Sequence, residues 1–175
     1  MKKINLKLTQ SYPIIFLKNL DDLSLKLSMY LERKKVFIIS DTNVAKLYLE
    51  SVKTLLAKDK ILVHSYVFKA GEERKNLTTL ADIIKYAVSV GVDRQYVVIA
   101  LGGGVVGDIA GFFASVYMRG LKYIQVPTTL LAMVDSSIGG KTAVNTDTGK
   151  NIVGTFYQPQ CVLINTKFLQ TLNSR

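Results

Sequence analysis

Hydrophobicity along the chain switches between two periods. Continuous apolar runs, such as Val36-Phe37-Ile38-Ile39 and Val97-Val98-Ile99-Ala100-Leu101, have the length and composition of buried strands. Between them, apolar residues recur every three or four positions: Leu23, Leu27 and Tyr30; then Val44, Leu47, Tyr48, Leu55 and Leu56; then Leu77, Leu80, Ile84, Ala87 and Val88. That spacing puts each set on one face of a helix packed against a sheet. The pattern predicts strands over 4–8, 13–18, 36–41, 61–68, 97–101, 122–126 and 161–165. It predicts helices over 21–31, 44–56, 77–88 (stopped by Gly91), 109–117 and 130–134, and a last one from Lys167. The first two strands, the second starting at Pro13, form a hairpin or a sheet edge. Strands alternating with helices predict an α/β, Rossmann-like fold: a largely parallel sheet with flanking helices and ligands at the carboxyl ends of the strands.

Those carboxyl ends carry the polar and glycine residues. In order they are Asp41 and Asn43, then Gly71 to Lys75, then Gly102 to Asp108, then Thr128 and Thr129. Any one of them serves equally well as a helix cap. Four successive strand ends of this kind on one rim fit a nucleotide-sized ligand. Gly102, Gly104 and Gly107 match G-x-G-x-x-G, whose glycines let backbone N–H groups close on a phosphate at a helix N-terminus. The acidic residue expected about 20 positions later is missing, because Pro127-Thr128-Thr129 stands there. A structural turn is the alternative reading of the glycines.

Beyond Ser137 the pattern changes to two short strands, Ile138 to Asn145 and Lys150 to Gly154, around the turn Thr146-Asp147-Thr148-Gly149. Such a β-hairpin is expected to bring Lys141 beside Lys150 and Asn151, and two cations held together among glycines call for an anion. Gly140-Lys141-Thr142 lacks the upstream glycine of a P-loop and is not one.

Composition narrows the functional classes. The 175 residues fit one domain, and 49% hydrophobic with 21% charged residues is an ordinary globular balance. The formal charge of +10 admits nucleic acid, an acidic membrane or an anionic small molecule as partner. The basic residues are scattered, however, with no aromatic-interleaved stripe, which speaks against nucleic acid. Arg119, Lys141 and Lys150 are the exceptions, set among glycines and hydroxyls. No apolar run suits a membrane span, and the start alternates polar and apolar residues, so no membrane partner and a cytoplasmic location are expected. Cys161 reads as a buried strand residue, and the lone His64 cannot build a metal site.

In combination, four segments resemble the 3-dehydroquinate synthase family: Gly102-Gly103-Gly104-Val105-Val106-Gly107-Asp108, Gln125-Val126-Pro127-Thr128-Thr129-Leu130-Leu131, Val134-Asp135-Ser136-Ser137-Ile138-Gly139-Gly140-Lys141-Thr142-Ala143-Val144-Asn145 and Gly149-Lys150-Asn151. The resemblance runs in order from about Asp41 to the end. It implies an enzyme of the shikimate pathway that uses bound NAD and a divalent metal, zinc or cobalt. Such an enzyme converts 3-deoxy-D-arabino-heptulosonate 7-phosphate, a sugar-acid phosphate, to 3-dehydroquinate and phosphate. Carried over by position, it places the adenosine half of NAD near Asp41, Asn43, Ala70, Gly71, Glu72, Glu73, Arg74 and Lys75. The pyrophosphate and ribose fall on Gly104, Val105, Val106, Gly107 and Asp108, with hydroxyls from Thr128 and Thr129. Lys141, Lys150, Phe168, Leu169, Gln170 and Thr171 complete the cofactor positions. Asp135, Lys141 and Asn151 match substrate-contacting positions, and Arg119 matches an arginine that reaches the substrate phosphate of a neighbouring subunit, which implies a homodimer.

The same resemblance assigns the metal ligands, a Glu and two His, to a mostly helical C-terminal domain that follows these motifs. Residues 1–175 are therefore expected to be the NAD-binding α/β domain, with the connection to that second domain starting at about 166–175, no metal site and no turnover by itself. Three other readings stand beside it: a different sugar-phosphate cyclase of the 2-deoxy-scyllo-inosose or valiolone type, a glycerol or iron-dependent alcohol dehydrogenase, and a basic non-catalytic module.

Overall fold

The structure, a computed structural model, describes residues 3–5 and 11–172. Residues 6–8 of the first expected strand and 173–175 of the expected connection lie outside these. The elements follow the expected alternation: β1 (Lys3–Asn5), β2 (Pro13–Phe16), α1 (Asp21–Ser28) and β3 (Lys35–Asp41) come first. One continuous helix follows, made of α2 (Thr42–Val44), a π-helical turn (Ala45–Leu49) and α3 (Glu50–Lys58). Then come β4 (Leu62–Phe68), α4 (Leu77–Ser89), β5 (Val97–Gly102), α5 (Gly104–Val116), β6 (Tyr123–Pro127), a π-helical turn (Ala132–Ser136), β7 (Lys141–Thr146), β8 (Gly149–Phe156), β9 (Val162–Ile164) and a 3-10 helix (Thr166–Thr171).

Seven strands form one sheet in the order β1-β2-β9-β6-β5-β3-β4. Only β1 runs antiparallel, as the edge partner of β2. The chain leaves β3 for β4 on one side and returns to β5 on the other. Connections after β3 and β5 therefore diverge, and the carboxyl ends of these two strands frame the crevice where doubly wound sheets bind ligands. Alternate residues of the buried strands feed two cores. Val36, Ile38, Ile99 and Leu101 pack with Leu23, Val52 and Leu56 on one face, while Phe37, Ile39, Val98 and Ala100 pack with Ile83, Ile109 and Phe113 on the other.

Two expectations are corrected. The helix expected from Ile109 begins at Gly104, with Gly103 as its N-cap, so only Gly102 and Gly103 form the turn. None of Gly102, Gly103, Gly104 or Gly107 has a positive φ. They are there for space: a methyl on Gly107 would sit 3.0 Å from Gln125 Oε1, and one on Gly104 would sit 3.0 Å from Ser136 Oγ. The second correction concerns the hairpin, which forms but in another register. Lys141 pairs with Phe156, and Lys150 flanks the turn at Thr146–Gly149. Lys141 and Thr146 are the two ends of β7, about 17 Å apart at the usual strand rise, so the two lysines do not meet.

The hairpin packs on α5, where a methyl on Gly111 would overlap that of Thr142. A methyl on Gly154 would overlap the Thr142 carbonyl oxygen, which is backbone and cannot turn aside. Gly154→Ala is therefore expected to part Ala143 from its partner and destabilise the chain by about 1–3 kcal/mol. An unchanged urea midpoint would show that the strands are not so closely paired. Cys161 is buried, and burial pushes its thiol up to about 12, which removes it as a nucleophile. His64 lies on β4 with its ring centroid 5.9 Å from that of Tyr96.

Candidate functional site

The rim is built by the strand ends. Asp41, last residue of β3, caps the following helix by accepting from the N–H of Asn43 at 2.8 Å and of Val44 at 3.0 Å. Both bonds fall on Oδ1, and no described bond uses Oδ2. The Ala70 N–H donates to Thr42 Oγ1 at 3.1 Å, which ties the loop after β4 to that helix. At the next strand end the Thr128 N–H donates to the Gly102 carbonyl at 2.9 Å, and α5 starts with no side-chain cap. Its first amides thus point out as donors at the positive end of the helix dipole. Around them, Thr128 Oγ1 and Ser136 Oγ are buried without any hydrogen-bond partner. An uncapped helix N-terminus with an unused hydroxyl beside it can accept an anion.

Next to it, Lys75 crosses from the loop before α4 to α5 and the hairpin. Its ammonium pairs with the Asp108 carboxylate and donates to Asn151 Oδ1 at 2.6 Å. Burial pushes the Asp108 carboxyl above its usual range, and the hydrogen bond and charge of Lys75 pull it back in part. Asn145 closes the ring. Its N–H donates to the Lys75 carbonyl at 2.7 Å, its Nδ2 to Glu72 Oε1 at 2.8 Å, and its Oδ1 accepts the Asn151 N–H at 2.9 Å. Asn151 is held at φ 58, a left-handed conformation that asparagine tolerates better than most residues.

The ring opens into a cleft of about 500 Å³ between α5 and the hairpin, lined by Asp108, Asp135, Lys141 and Asn151 among others, with Ile152 and Phe156 as its apolar wall. Asp135, Lys141 and Asn151, far apart in sequence, are thus brought together with Asp108. Lys75 and Glu72 join them through the ring, whereas several other candidates stand apart. Lys150 is exposed near the hairpin turn, and Arg119 is exposed beyond Val116, the far end of α5, which lies about 18 Å from Gly104 at the helical rise. Phe168, Leu169, Gln170 and Thr171 lie on the 3-10 helix after β9, where Tyr48 Oη meets Thr171 Oγ1 at 2.5 Å. Glu73 and Arg74 are exposed on the loop before α4. A larger hollow of about 740 Å³ lies at the amino end of the sheet beside Ser24, Lys34 and Asp59, away from every rim residue. Asn145 and Ser136 escaped the residue-by-residue assignment although both stand inside the quoted motifs. Among the described residues no three His, Cys, Asp or Glu side chains are grouped to hold a metal.

Fold and rim together define a doubly wound α/β domain with an anion-accepting helix N-terminus at its switch point. Residues 65–175 match the family model described as 3-dehydroquinate synthase N-terminal, and the chain belongs to that family. A 3-dehydroquinate synthase of Endomicrobium trichonymphae is 50% identical over 172 residues, covering 98% of this chain and 47% of that protein. A 2-deoxy-scyllo-inosose synthase complexed with carbaglucose-6-phosphate, NAD+ and Co2+ superposes with a TM-score of 0.86 at 30% identity, over 97% of this chain and 47% of its own. The 2-epi-5-epi-valiolone synthase of Streptomyces hygroscopicus subsp. jinggangensis 5008, with NAD+ and Zn2+ bound, gives 0.84 at 34% identity, over 96% and 46%. The chain spans about half the length of the curated relatives it matches.

Proposed function

We propose that this chain is the NAD-binding part of a 3-dehydroquinate synthase, a phosphate-eliminating lyase of the shikimate pathway that acts on 3-deoxy-D-arabino-heptulosonate 7-phosphate with NAD and a divalent metal. The observation that carries the reading is the meeting of Asp108, Asp135, Lys141 and Asn151 in one cleft beside the uncapped start of α5, in a chain of this family. The 50% identity to a relative of that name, against 30–34% to the other two cyclases, favours this substrate over theirs. Family membership also sets aside the dehydrogenase and basic-module readings.

The residues present fit a dinucleotide. A buried, partnerless hydroxyl, Ser136 Oγ, stands beside Gly104 at the start of α5, and Asp41 Oδ2, which no described bond uses, suits a ribose hydroxyl. Held there, NAD would supply a reversible hydride acceptor: oxidation of a substrate hydroxyl to a ketone would acidify the neighbouring C–H for loss of phosphate, and the ketone would be reduced again afterwards. The chain's own part is to orient and to balance charge. Amides of α5 hold phosphate oxygens, Asp135 and Asn151 fix substrate polar groups, and the Lys141 ammonium neutralises charge building up on the departing phosphate. Arg119, remote from its own cleft, would serve the cleft of a partner subunit in a homodimer. Among the described residues no ligand set for the metal is grouped. A cytoplasmic enzyme is the setting we infer.

This division of labour has a direct test. The purified 175-residue chain, given substrate, NAD and zinc or cobalt, is expected to release no phosphate, whereas a longer chain that joins it to the carboxyl-terminal half of the Endomicrobium trichonymphae relative releases it. Turnover by the short chain would overturn the division, and none by the long one would overturn the activity.

A further inference from the structure

We infer that the Ser136 hydroxyl is an additional ligand-binding group, donating a hydrogen bond to a phosphate oxygen seated on the N-terminus of α5. Its oxygen is buried and has no partner, an arrangement that weakens the folded chain unless something else uses the hydroxyl. The backbone that places it is unusual too. Ser136 ends the π-helical turn Ala132–Ser136, a rare form that is frequent at functional sites. The hydroxyl stands so close to α5 that a methyl on Gly104 would lie 3.0 Å from it, so glycine keeps the space between them open. From there Ser136 lines the same cleft as Asp135 and Lys141. An acceptor lying over the first amides of α5, which are donors, has Ser136 Oγ as a further donor at its side.

The inference rests on the dinucleotide reading for the identity of the phosphate, because a sugar phosphate in the cleft offers the same oxygen. Two titrations separate these sources. Ser136→Ala is compared with the unaltered chain in thermal unfolding without ligand, then in calorimetric titrations with NAD and with inorganic phosphate. Without ligand, its unfolding midpoint should stay the same or rise, since a buried orphan hydroxyl is removed. Its NAD affinity should fall by about tenfold or more, as for a lost hydrogen bond to a charged group. A fall confined to inorganic phosphate would keep Ser136 as a phosphate donor and move the phosphate from the dinucleotide to the substrate. Ser137→Ala removes an equally orphaned buried hydroxyl that does not line the cleft, and should change neither affinity. A lowered midpoint in Ser136→Ala, unchanged affinities, or an equal loss in Ser137→Ala would overturn the role of Ser136. Should the unaltered chain bind phosphate but not NAD, the dinucleotide reading fails and the phosphate arm still decides Ser136; binding of neither overturns both.

Discussion

Lys75→Met is expected to remove about 3 kcal/mol of unfolding free energy, the lower end for one partner taken from a buried ion pair. The lysine side chain is 7% exposed and that of its partner Asp108 18%. Methionine keeps most of the stem but leaves the carboxylate without a counter-charge and Asn151 Oδ1 without its donor. The loss should depend on pH. Burial already raises the Asp108 carboxyl, and without Lys75 the opposing effects vanish and it rises further. For an acid raised in the folded state, stability is present at low pH and lost as pH climbs through the folded pKa. The variant should therefore approach the parent in acid and fall behind as pH increases. Urea unfolding at several pH values checks this, and a deficit that is small or independent of pH would show that Lys75 is not the counter-charge of Asp108.

The second large effect falls on turnover. In the chain joined to a relative's carboxyl-terminal half, Lys141→Met should lower kcat by about 10²–10³, the usual cost of one group that stabilises charge in a transition state. The fold should not suffer, because Lys141 is exposed at the first position of β7 and belongs to no described ion pair. Phosphate release measured under saturating NAD and substrate reads the effect. Near-parental turnover would take Lys141 out of the mechanism.

Much of this architecture is written locally. The apolar runs of β3 and β5 are buried on both faces, and their short length and β-branched composition reveal such strands. The start of α5 was misplaced because glycine has two uses that sequence does not separate. Gly104 and Gly107 serve close approach within a helix, against Ser136 and Gln125; read as turn formers, they push the helix start to Ile109. Hairpin register failed for a related reason. The stretch around Thr146 is a run of small polar residues with no apolar alternation to pin the pairing, and the bulge between Val144 and Thr146 shifts it. The Lys75–Asn145–Asn151 ring joins segments that meet only in the folded chain, and a lone asparagine carries no local sign that all three of its polar groups will be used.

On the proposed reading the strand ends from Asp41 to Thr129 seat a dinucleotide. Titrating the isotopically labelled chain with NAD while following its backbone amides tests this most directly. Saturable shifts are expected, centred on Gly103, Gly104 and Val105, reaching Thr128 and the Glu72–Lys75 loop and sparing the hollow beside Ser24 and Asp59. An unchanged spectrum at millimolar NAD, or shifts confined to scattered surface lysines, would contradict it.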